Sequence, residues 1–402
     1  MAFFFLLLFT FVMFFQPAFV FPALEPIQPY RYSALAALLM YFIVGKKNGK
    51  PIFASKYTQF FLLFVIWQVL SSSFVWLRAG IDTLILWLNF IIIFYLIVKQ
   101  CTEVKHIRTL ISTIMISLTY LAYYSIQNYL PGFRAEGFGW YENANDLVLI
   151  QVTIIPLVFY FMETSRYKYL RYGYLILVGL FATSIVLCGS RQGLLGLSVV
   201  VIISLLSMQG VPKSLRAILT SVMLFAILTF GASIVLQRAD LAGGMIGDDS
   251  SEHRIEQWKA CARMIRDHPI LGIGPGESTS AMRHYGGIRG LPPHNTLIQV
   301  FAETGIPGGV FFTLFSCYPI WQAWKYLRRR KLLDDSDVRG KTEGVVIHRF
   351  LIIALIGFWS CAIFSNRVHF SILYVIIALI VAVQQNVFNE GIFSDSPDSQ
   401  PA

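Results

Sequence analysis

Apolar runs of about 17–22 residues recur along this chain, and each has the length that a helix needs to cross a lipid bilayer. Charged residues make up 13% of the 402 residues and hydrophobic residues 56%. A soluble domain carries about 25% charged residues. The solvent of this chain is therefore lipid, and the sequence predicts an all-α polytopic membrane protein.

The apolar segments predict about twelve transmembrane helices. Residues 1–236 would hold helices 1–9 and residues 296–388 helices 10–12, with a long external loop at 237–295 and a disordered cytoplasmic tail at 389–402. The tenth segment contains Gly305, Pro307 and Gly308, so we expect a broken or tilted helix there. The first apolar stretch has no basic leader and is expected to be a retained helix. The predicted helices lie at 2–20, 31–44, 57–76, 81–98, 109–125, 147–163, 173–189, 192–208, 217–236, 296–324, 350–365 and 368–388.

The distribution of basic residues predicts the orientation of the helices. Alternate loops hold 20 of the 32 Lys and Arg residues, whereas the short loops on the other side hold five. Basic residues concentrate in cytoplasmic loops, so both termini are expected in the cytoplasm and residues 237–295 on the outer side of the membrane. The same rule accounts for the net charge of +10 without a nucleic-acid partner.

The external basic residues are almost all arginine: 11 of 12, with Lys259 as the exception. Arginine presents a planar fork that suits bidentate phosphate recognition. This excess points to a phosphorylated ligand at the outer face, although drift in composition explains it equally well. The cysteines form no C-x-x-C pair and no His/Cys cluster, so we expect neither a metal site nor a disulfide framework.

Two external segments precede the long loop and carry candidate residues. The first is polar, glycine-bearing and aromatic and runs from Arg134 to Asp146; an ordinary solvated loop is the alternative. The second is the tight break Gly189–Gly193, which contains Arg191. A charge so close to apolar segments is costly unless it is paired or functional, or unless its long side chain reaches the interface.

The long loop contains an amphipathic helix that begins near Ser250-Ser-Glu252 and ends at His268-Pro269. Its apolar stripe is expected to comprise Ile255, Trp258, Ala262 and Ile265 at helical spacing. Most basic residues of this helix lie off the stripe and are expected to be solvated. Arg254, in the first turn, is the one that we single out.

The loop ends in Pro292-Pro293-His294-Asn295, directly before the tenth helix. Asn295 can cap that helix, which leaves His294 at a helix N-terminus, where anions are favoured and the imidazole is expected to stay neutral as a base. A histidine that only forms a hydrogen bond is the alternative. Glu303, inside the helix, is expected to hold an arginine or to position His294, or else to be a shallow interfacial carboxylate.

The combination of these segments is similar to the O-antigen ligase superfamily, which includes O-linked oligosaccharyltransferases and O-antigen polymerases. His294-Asn295, nine residues and then Gly305-Ile-Pro-Gly308 resemble its H-[NSQ]-x9-G-x-x-[GTY] signature. Three upstream pieces in the same order also resemble family motifs: Arg134 with Asn143-Ala-Asn145, then Ser190-Arg191-Gln-Gly193, then Arg254…Trp258…Pro269-Ile-Leu-Gly272-Ile-Gly274. The resemblance covers about residues 134–310.

The resemblance implies a GT-C-like membrane glycosyltransferase at the periplasmic face of the bacterial inner membrane. It would move a glycan en bloc from undecaprenyl pyrophosphate to an acceptor hydroxyl of lipid A–core or of a growing glycan. It implies no metal, nucleotide or other cofactor. His294 would deprotonate or orient the acceptor, and Arg191 and Arg254 would hold the leaving pyrophosphate. The further substrate-binding candidates are Arg134, Asn145, Arg283, Arg289, Asn295 and Glu303.

Two alternatives to an O-antigen ligase of lipopolysaccharide biosynthesis stay open. A polymerase that extends the glycan shares the motif, because the acceptor lies outside it. A polysaccharide transporter or flippase would fit twelve helices, but it should show repeats and charges in the middle of the membrane, whereas the polar residues here gather at the outer rim.

Overall fold

The computed structural model describes residues 1–45, 53, 55–209, scattered positions from 213 to 233, and residues 249–288, 290–330 and 343–387. This part of the chain is helical and contains no strand. Its principal helices are α1 (Ala2–Phe15), α2 (Pro29–Val44), α3 (Lys56–Val75), α4 (Leu77–Gln100), α5 (Val104–Gln127), α6 (Ala144–Thr164), α7 (Lys168–Leu187), α8 (Arg191–Ser207), α9 (Arg216–Thr229, described in part), α10 (Asp249–Asp267), α11 (Thr296–Arg330), α12 (Glu343–Ala362) and α13 (Ser371–Ala382).

Seven of these helices are long and apolar enough to cross a membrane: α3, α4, α5, α6, α7, α11 and α12. The other apolar helices have 10–17 residues, which is short for one span. Each of the twelve predicted segments overlaps a helix in the described residues, but the count of twelve spans is not confirmed. The predicted tail 389–402 and residues 237–248 of the long loop lie outside the described residues.

Two helices form the centre of the bundle. Along α6, every residue from Leu147 to Phe161 is buried, and α12 is buried almost as completely. A helix that is apolar all round has no polar face to turn outward, and α6 packs against α7, α8 and α12. Helices at the periphery expose large apolar side chains such as Ile176, which is 74% exposed, as lipid-facing helices do.

Ion pairs mark one end of the bundle. Glu343 at the start of α12 accepts hydrogen bonds from Arg108 of α5 at 2.6 Å and from Tyr160 of α6 at 2.7 Å. Nearby, Arg349 donates to Glu163 at 2.6 Å. The segments that precede α6, α8 and α11 and the segment that follows α12 meet at the other end, and the candidate site is there.

The amphipathic helix α10 packs on α11, but through only part of the predicted stripe. Its buried residues are Gln257, Ala260, Cys261 and Met264. The expected stripe was wrong at Ile255, which is 49% exposed, and at Ala262, which is exposed as well, whereas Ile265 packs against the buried residues. The small residues Ala260 and Cys261 let α10 approach Ala302 of α11 closely, and this close packing outweighs the gain from burying the larger isoleucine.

Candidate active site

The chain around His294 is held in an uncommon conformation. His294 has a φ of 48°, in the left-handed region that few residues other than glycine adopt. Immediately before it, the indole Nε1–H of Trp258 donates to the carbonyl oxygen of Pro293 at 2.8 Å. Strained residues of this kind cluster at functional sites, where the surrounding contacts keep them in place. Trp258 thus connects α10 directly to the residue before His294.

On the other side of His294, Asn295 begins α11 as the sequence predicts. Its side-chain Oδ1 accepts the N–H of Ile298 at 3.0 Å, which is an N-cap. Its own N–H donates to Oδ1 of Asn366, in the segment after α12, at 3.1 Å. His294 is therefore fixed from both sides. The backbone N–H and the side-chain Oδ1 of Asn295 both form hydrogen bonds within the protein, and these bonds position the residue beside His294.

Arginine side chains surround His294. Burial lowers the pKa of the imidazole, and the positive charges of Arg254 and Arg367 lower it further. Burial also lowers the pKa of Arg254, and the charge of Arg191 adds to this effect. The side chains of Arg191, Arg254, His294 and Arg367, from four separate segments, are thus close enough for their charges to interact. Because the charges of Arg191 and Arg254 repel one another, their proximity indicates an anionic ligand.

Three side chains hold the turn that carries Arg191. Arg134 donates through Nε to the carbonyl of Cys188 at 3.0 Å and through Nη2 to Oδ1 of Asn145 at 2.7 Å. The hydroxyl of Ser190 donates to the same Asn145 oxygen at 2.9 Å. Arg134 and Asn145, predicted as substrate-binding residues, are thus committed to contacts that position Arg191.

Arg191 itself is exposed and is the first residue of α8. Its N-cap residue, Ser190, does not cap the first turn with its side chain, because the hydroxyl faces Asn145. The N–H groups of that turn have no side-chain cap from Ser190, and they favour an anion, as the positive charge of Arg191 does. Arg191 is the most accessible of the four basic residues for a charged ligand.

The two motif glycines lie where the long loop crosses α11. Gly305 has φ 69° and ψ −175° and interrupts the helix, as the sequence predicts. The N–H of Ile306 there donates to the carbonyl of Pro269 at 2.8 Å. A Cβ on Gly305 would lie 2.2 Å from the oxygen of Ile270, and one on Gly272 would lie 2.4 Å from the backbone of Glu303. Only glycine permits this crossing, which fixes α10, and Arg254 with it, relative to His294.

Glu303 is 1% exposed and lies under the loop. Its carboxylate accepts hydrogen bonds from the hydroxyl of Ser278 at 2.6 Å and from Nε2 of Gln299 at 2.9 Å. Its backbone oxygen accepts from the N–H of Gly274 at 3.0 Å. The expectation that Glu303 holds an arginine or positions His294 directly is therefore corrected: this carboxylate fastens the loop 274–278 to α11.

Residues 174–313 match the O-antigen ligase family model. The resemblance found in the sequence is thereby confirmed over this stretch, which includes Arg191, Arg254, His294 and Gly305. The chain is also 25% identical over 309 residues to a protein of Rickettsia felis named "Putative polysaccharide ligase", covering 72% of this chain and 73% of that protein. A protein of Rickettsia conorii with the same description is 23% identical over 246 residues, covering 58% and 57% of the two chains.

The remaining candidates lie away from these contacts or outside the described residues. Arg283 is exposed in the short turn Met282–Tyr285, where Tyr285 accepts a hydrogen bond from Arg263 and lies 3.0 Å from Nε2 of His268. A substrate contact of Arg283 stays a prediction. Arg289 lies outside the described residues.

Sequence reasoning missed Arg367 as a site residue. It counted only as one of five basic residues in the short external loops, yet its charge reaches His294, and its guanidinium forms an ion pair with Asp146 at the start of α6. Its N–H also donates to the hydroxyl of Thr296 at 3.0 Å. The available signal was a charge between two apolar segments, which is expensive without a partner or a function.

Proposed function

We propose that this membrane protein is a metal-independent glycosyltransferase of the O-antigen ligase type. It moves a glycan en bloc from undecaprenyl pyrophosphate to a hydroxyl of lipid A–core at the periplasmic face of the inner membrane. The observation that supports this most strongly is the convergence of Arg191, Arg254 and His294, which come from three segments distant in sequence. The family match and the two polysaccharide ligase relatives support the same class of reaction.

The residues suit the charge changes of this reaction. The acceptor oxygen attacks the anomeric carbon of the donor sugar, and the bond from that carbon to the phosphate oxygen breaks with its electron pair. Arg191 and Arg254 stabilise the negative charge that develops on the pyrophosphate. His294 takes the proton of the acceptor hydroxyl, and its lowered pKa keeps it neutral and able to do so.

The first experiment measures transfer by the full-length protein, purified in detergent. The donor is lipid-linked glycan extracted from cells that lack the protein, and the acceptor is lipopolysaccharide from the same cells. We expect His294→Ala to lower kcat by about 10²–10⁴-fold, the usual contribution of a general base. His268→Ala, an exposed histidine of the same loop, is the matched control. Transfer by His294→Ala at the wild-type rate would contradict the proposal.

A polymerase is the closest alternative, and the lipid-linked material of the deletion cells separates the two reactions. Loss of a ligase leaves full-length glycan on the lipid carrier, whereas loss of a polymerase leaves single repeat units. Transfer in detergent, where no compartments exist, would exclude a protein that only transports or flips the glycan.

A further inference from the structure

A cavity of about 530 Å³ opens at the end of the bundle that carries Arg191, Arg254, His294 and Arg367. Its wall includes the aromatic residues Tyr30, Phe90 and Trp140 and the polar residues Gln299, Arg367 and His369. Its size and its mixture of aromatic surface with a few polar groups are those of a small-molecule site. The residues come from α2, α4, the segment before α6, α11 and the segment after α12, so the cavity exists only in the folded bundle.

The polar atoms of this wall that are buried and have no hydrogen-bond partner among the described residues include Nε2 of His369 and Oε1 of Gln299. Leaving such groups unpaired costs free energy, and the cost disappears when a ligand supplies the partner. Gln299 is held in place because its Nε2 donates to Glu303 at 2.9 Å. The His369 ring is held by Trp87, with the ring centroids 5.0 Å apart.

The aromatic part of the wall suits the apolar face of a sugar ring. Trp140 packs edge-on against Tyr30, with the ring centroids 4.9 Å apart, and is itself 46% exposed. A pyranose presents C–H groups on its flat face and hydroxyl groups around its edge. An indole can pack against the C–H groups, while an amide oxygen and a neutral imidazole bond to the hydroxyls. Burial lowers the pKa of His369 to about 4, so this imidazole is neutral at physiological pH.

The position of the cavity indicates which sugar it holds. Arg367 lines the cavity, and its charge acts on His294. Asn366, also in the cavity wall, accepts a hydrogen bond from the N–H of Asn295, the residue after His294, at 3.1 Å. The residue before His294, Pro293, accepts a hydrogen bond from Trp258 of α10, the helix that carries Arg254. A base that deprotonates the acceptor must lie beside the acceptor hydroxyl, so a cavity that adjoins the His294 segment is placed to hold the acceptor saccharide.

We propose that this cavity binds the acceptor saccharide, with its hydroxyl groups bonded to His369 and Gln299 and its ring packed on Trp140. This inference rests on the proposed glycan transfer and adds to it the residues that select the acceptor. Binding of the acceptor is the role of His369, Gln299 and Trp140. The bond that breaks is acted on by Arg191, Arg254 and His294.

The test uses His369→Phe, which keeps a ring against Trp87 and removes both ring nitrogens. Because the variant also removes a buried unpaired atom, we expect its melting temperature to equal or exceed that of the wild type. Trp140→Ala, at a partly exposed position, is a second variant that does not depend on core packing. His106→Phe is the matched control: this ring packs on Phe3 at the opposite end of the bundle, with centroids 4.6 Å apart.

Two measurements are made on the full chain in detergent. The first is binding of the delipidated core oligosaccharide, released from the lipopolysaccharide of deletion cells by mild acid. The second is the KM for that lipopolysaccharide and, separately, for the lipid-linked donor. We expect His369→Phe and Trp140→Ala to weaken oligosaccharide binding and to raise the acceptor KM by about tenfold each, equivalent to about 1.4 kcal/mol. The donor KM should stay within about twofold, and His106→Phe should behave as the wild type.

Other outcomes overturn the inference. A raised donor KM with an unchanged acceptor KM would place the donor sugar in the cavity. Unchanged oligosaccharide binding and unchanged KM values in both variants would show that the cavity is not part of the substrate site. The proposed transfer function would not be affected by that result. If the wild type binds the oligosaccharide through these residues but transfers no glycan, the proposed function fails and the saccharide site remains.

Discussion

Replacing Gly305 by alanine tests how the long loop is fastened to the bundle. Gly305 interrupts α11 with φ 69° and ψ −175°, a combination that is almost restricted to glycine. An alanine Cβ there would lie 2.2 Å from the carbonyl oxygen of Ile270 and 2.8 Å from that of Pro269. Both obstacles are backbone atoms, so neither can move aside by changing a rotamer.

The expected cost has two parts. Holding alanine in this backbone conformation costs about 1–3 kcal/mol. Relieving the clash moves the loop away from α11 and breaks the hydrogen bond from Ile306 N–H to the Pro269 carbonyl, worth about 0.5–1.5 kcal/mol. We therefore expect Gly305→Ala to destabilise the protein by about 2–4 kcal/mol and to shift α10, which separates Arg254 from His294.

Gly276→Ala provides the matched control. Gly276 also has a positive φ, 83°, but nothing lies within 4 Å of a Cβ built there. The only cost is that of holding alanine in a left-handed backbone conformation, about 1–2 kcal/mol. The backbone N–H of residue 276 can still donate to Glu303. The comparison thus isolates the contact between the loop and the helix break.

The assay is thermal unfolding of the purified full chain, followed by the transfer assay on the same samples. At about 2 °C per kcal/mol for a large domain, Gly305→Ala should lower Tm by about 4–8 °C and Gly276→Ala by about 2–4 °C. Glycan transfer should be lost in the first variant and kept in the second. Equal melting temperatures and equal activities of the two variants would refute the idea that the crossing of the long loop over α11 at Gly305 fixes Arg254 relative to His294.

Three further predictions concern the site itself. Burial, Arg254 and Arg367 all lower the pKa of His294, so its neutral form persists to lower pH. The apparent pKa of the acid limb of the kcat/KM profile should therefore lie below about 6.5, the usual value for histidine. An apparent pKa above about 7 would contradict this. Trp258→Phe keeps the ring but removes the donor to the Pro293 carbonyl, so kcat should fall about 2–10-fold with no rise in donor KM. A lysine in place of Arg134 cannot donate to Asn145 and to the Cys188 carbonyl at the same time. Arg134→Lys should therefore raise the donor KM several-fold in steady-state kinetics. A donor KM equal to that of the wild type would count against the positioning role.

The amphipathic helix α10 shows which features of a helix can be predicted from the apolar periodicity of its sequence. Its location, its end at His268-Pro269 and its packing against the membrane helices follow from the sequence. The buried face does not, because a period of 3.6 residues allows neighbouring stripes with similar apolar content. Ala260 and Cys261 decide between them through close approach to α11, and that depends on a partner helix that the loop sequence does not contain.

Glu303 and Arg367 show the same division for charges. The cost of a charge in apolar surroundings applies to both residues, but the sequence does not show which group stabilises each one. Glu303 fastens a loop through Ser278, whereas Arg367 pairs with Asp146 and reaches His294. Each partner is distant along the chain, so only the folded structure brings it into contact.

The sequence by itself determined the helical class, the helix of the long loop, the break at Gly305 and the motif residues Arg191, Arg254 and His294. These follow from local properties: apolar length, capping residues, backbone freedom at glycine and the resemblance of short motifs. The tertiary structure alone decided which side chains contact one another around the motif residues. It showed hydrogen bonds of Arg134 and Asn145 around the turn that carries Arg191 and of Asn295 beside His294. It also brought the charge of Arg367 to His294 and formed the cavity with His369 and Gln299. The physical reason is that hydrogen bonds and charge interactions act over a few ångströms in space, between residues that can be more than 200 positions apart in sequence.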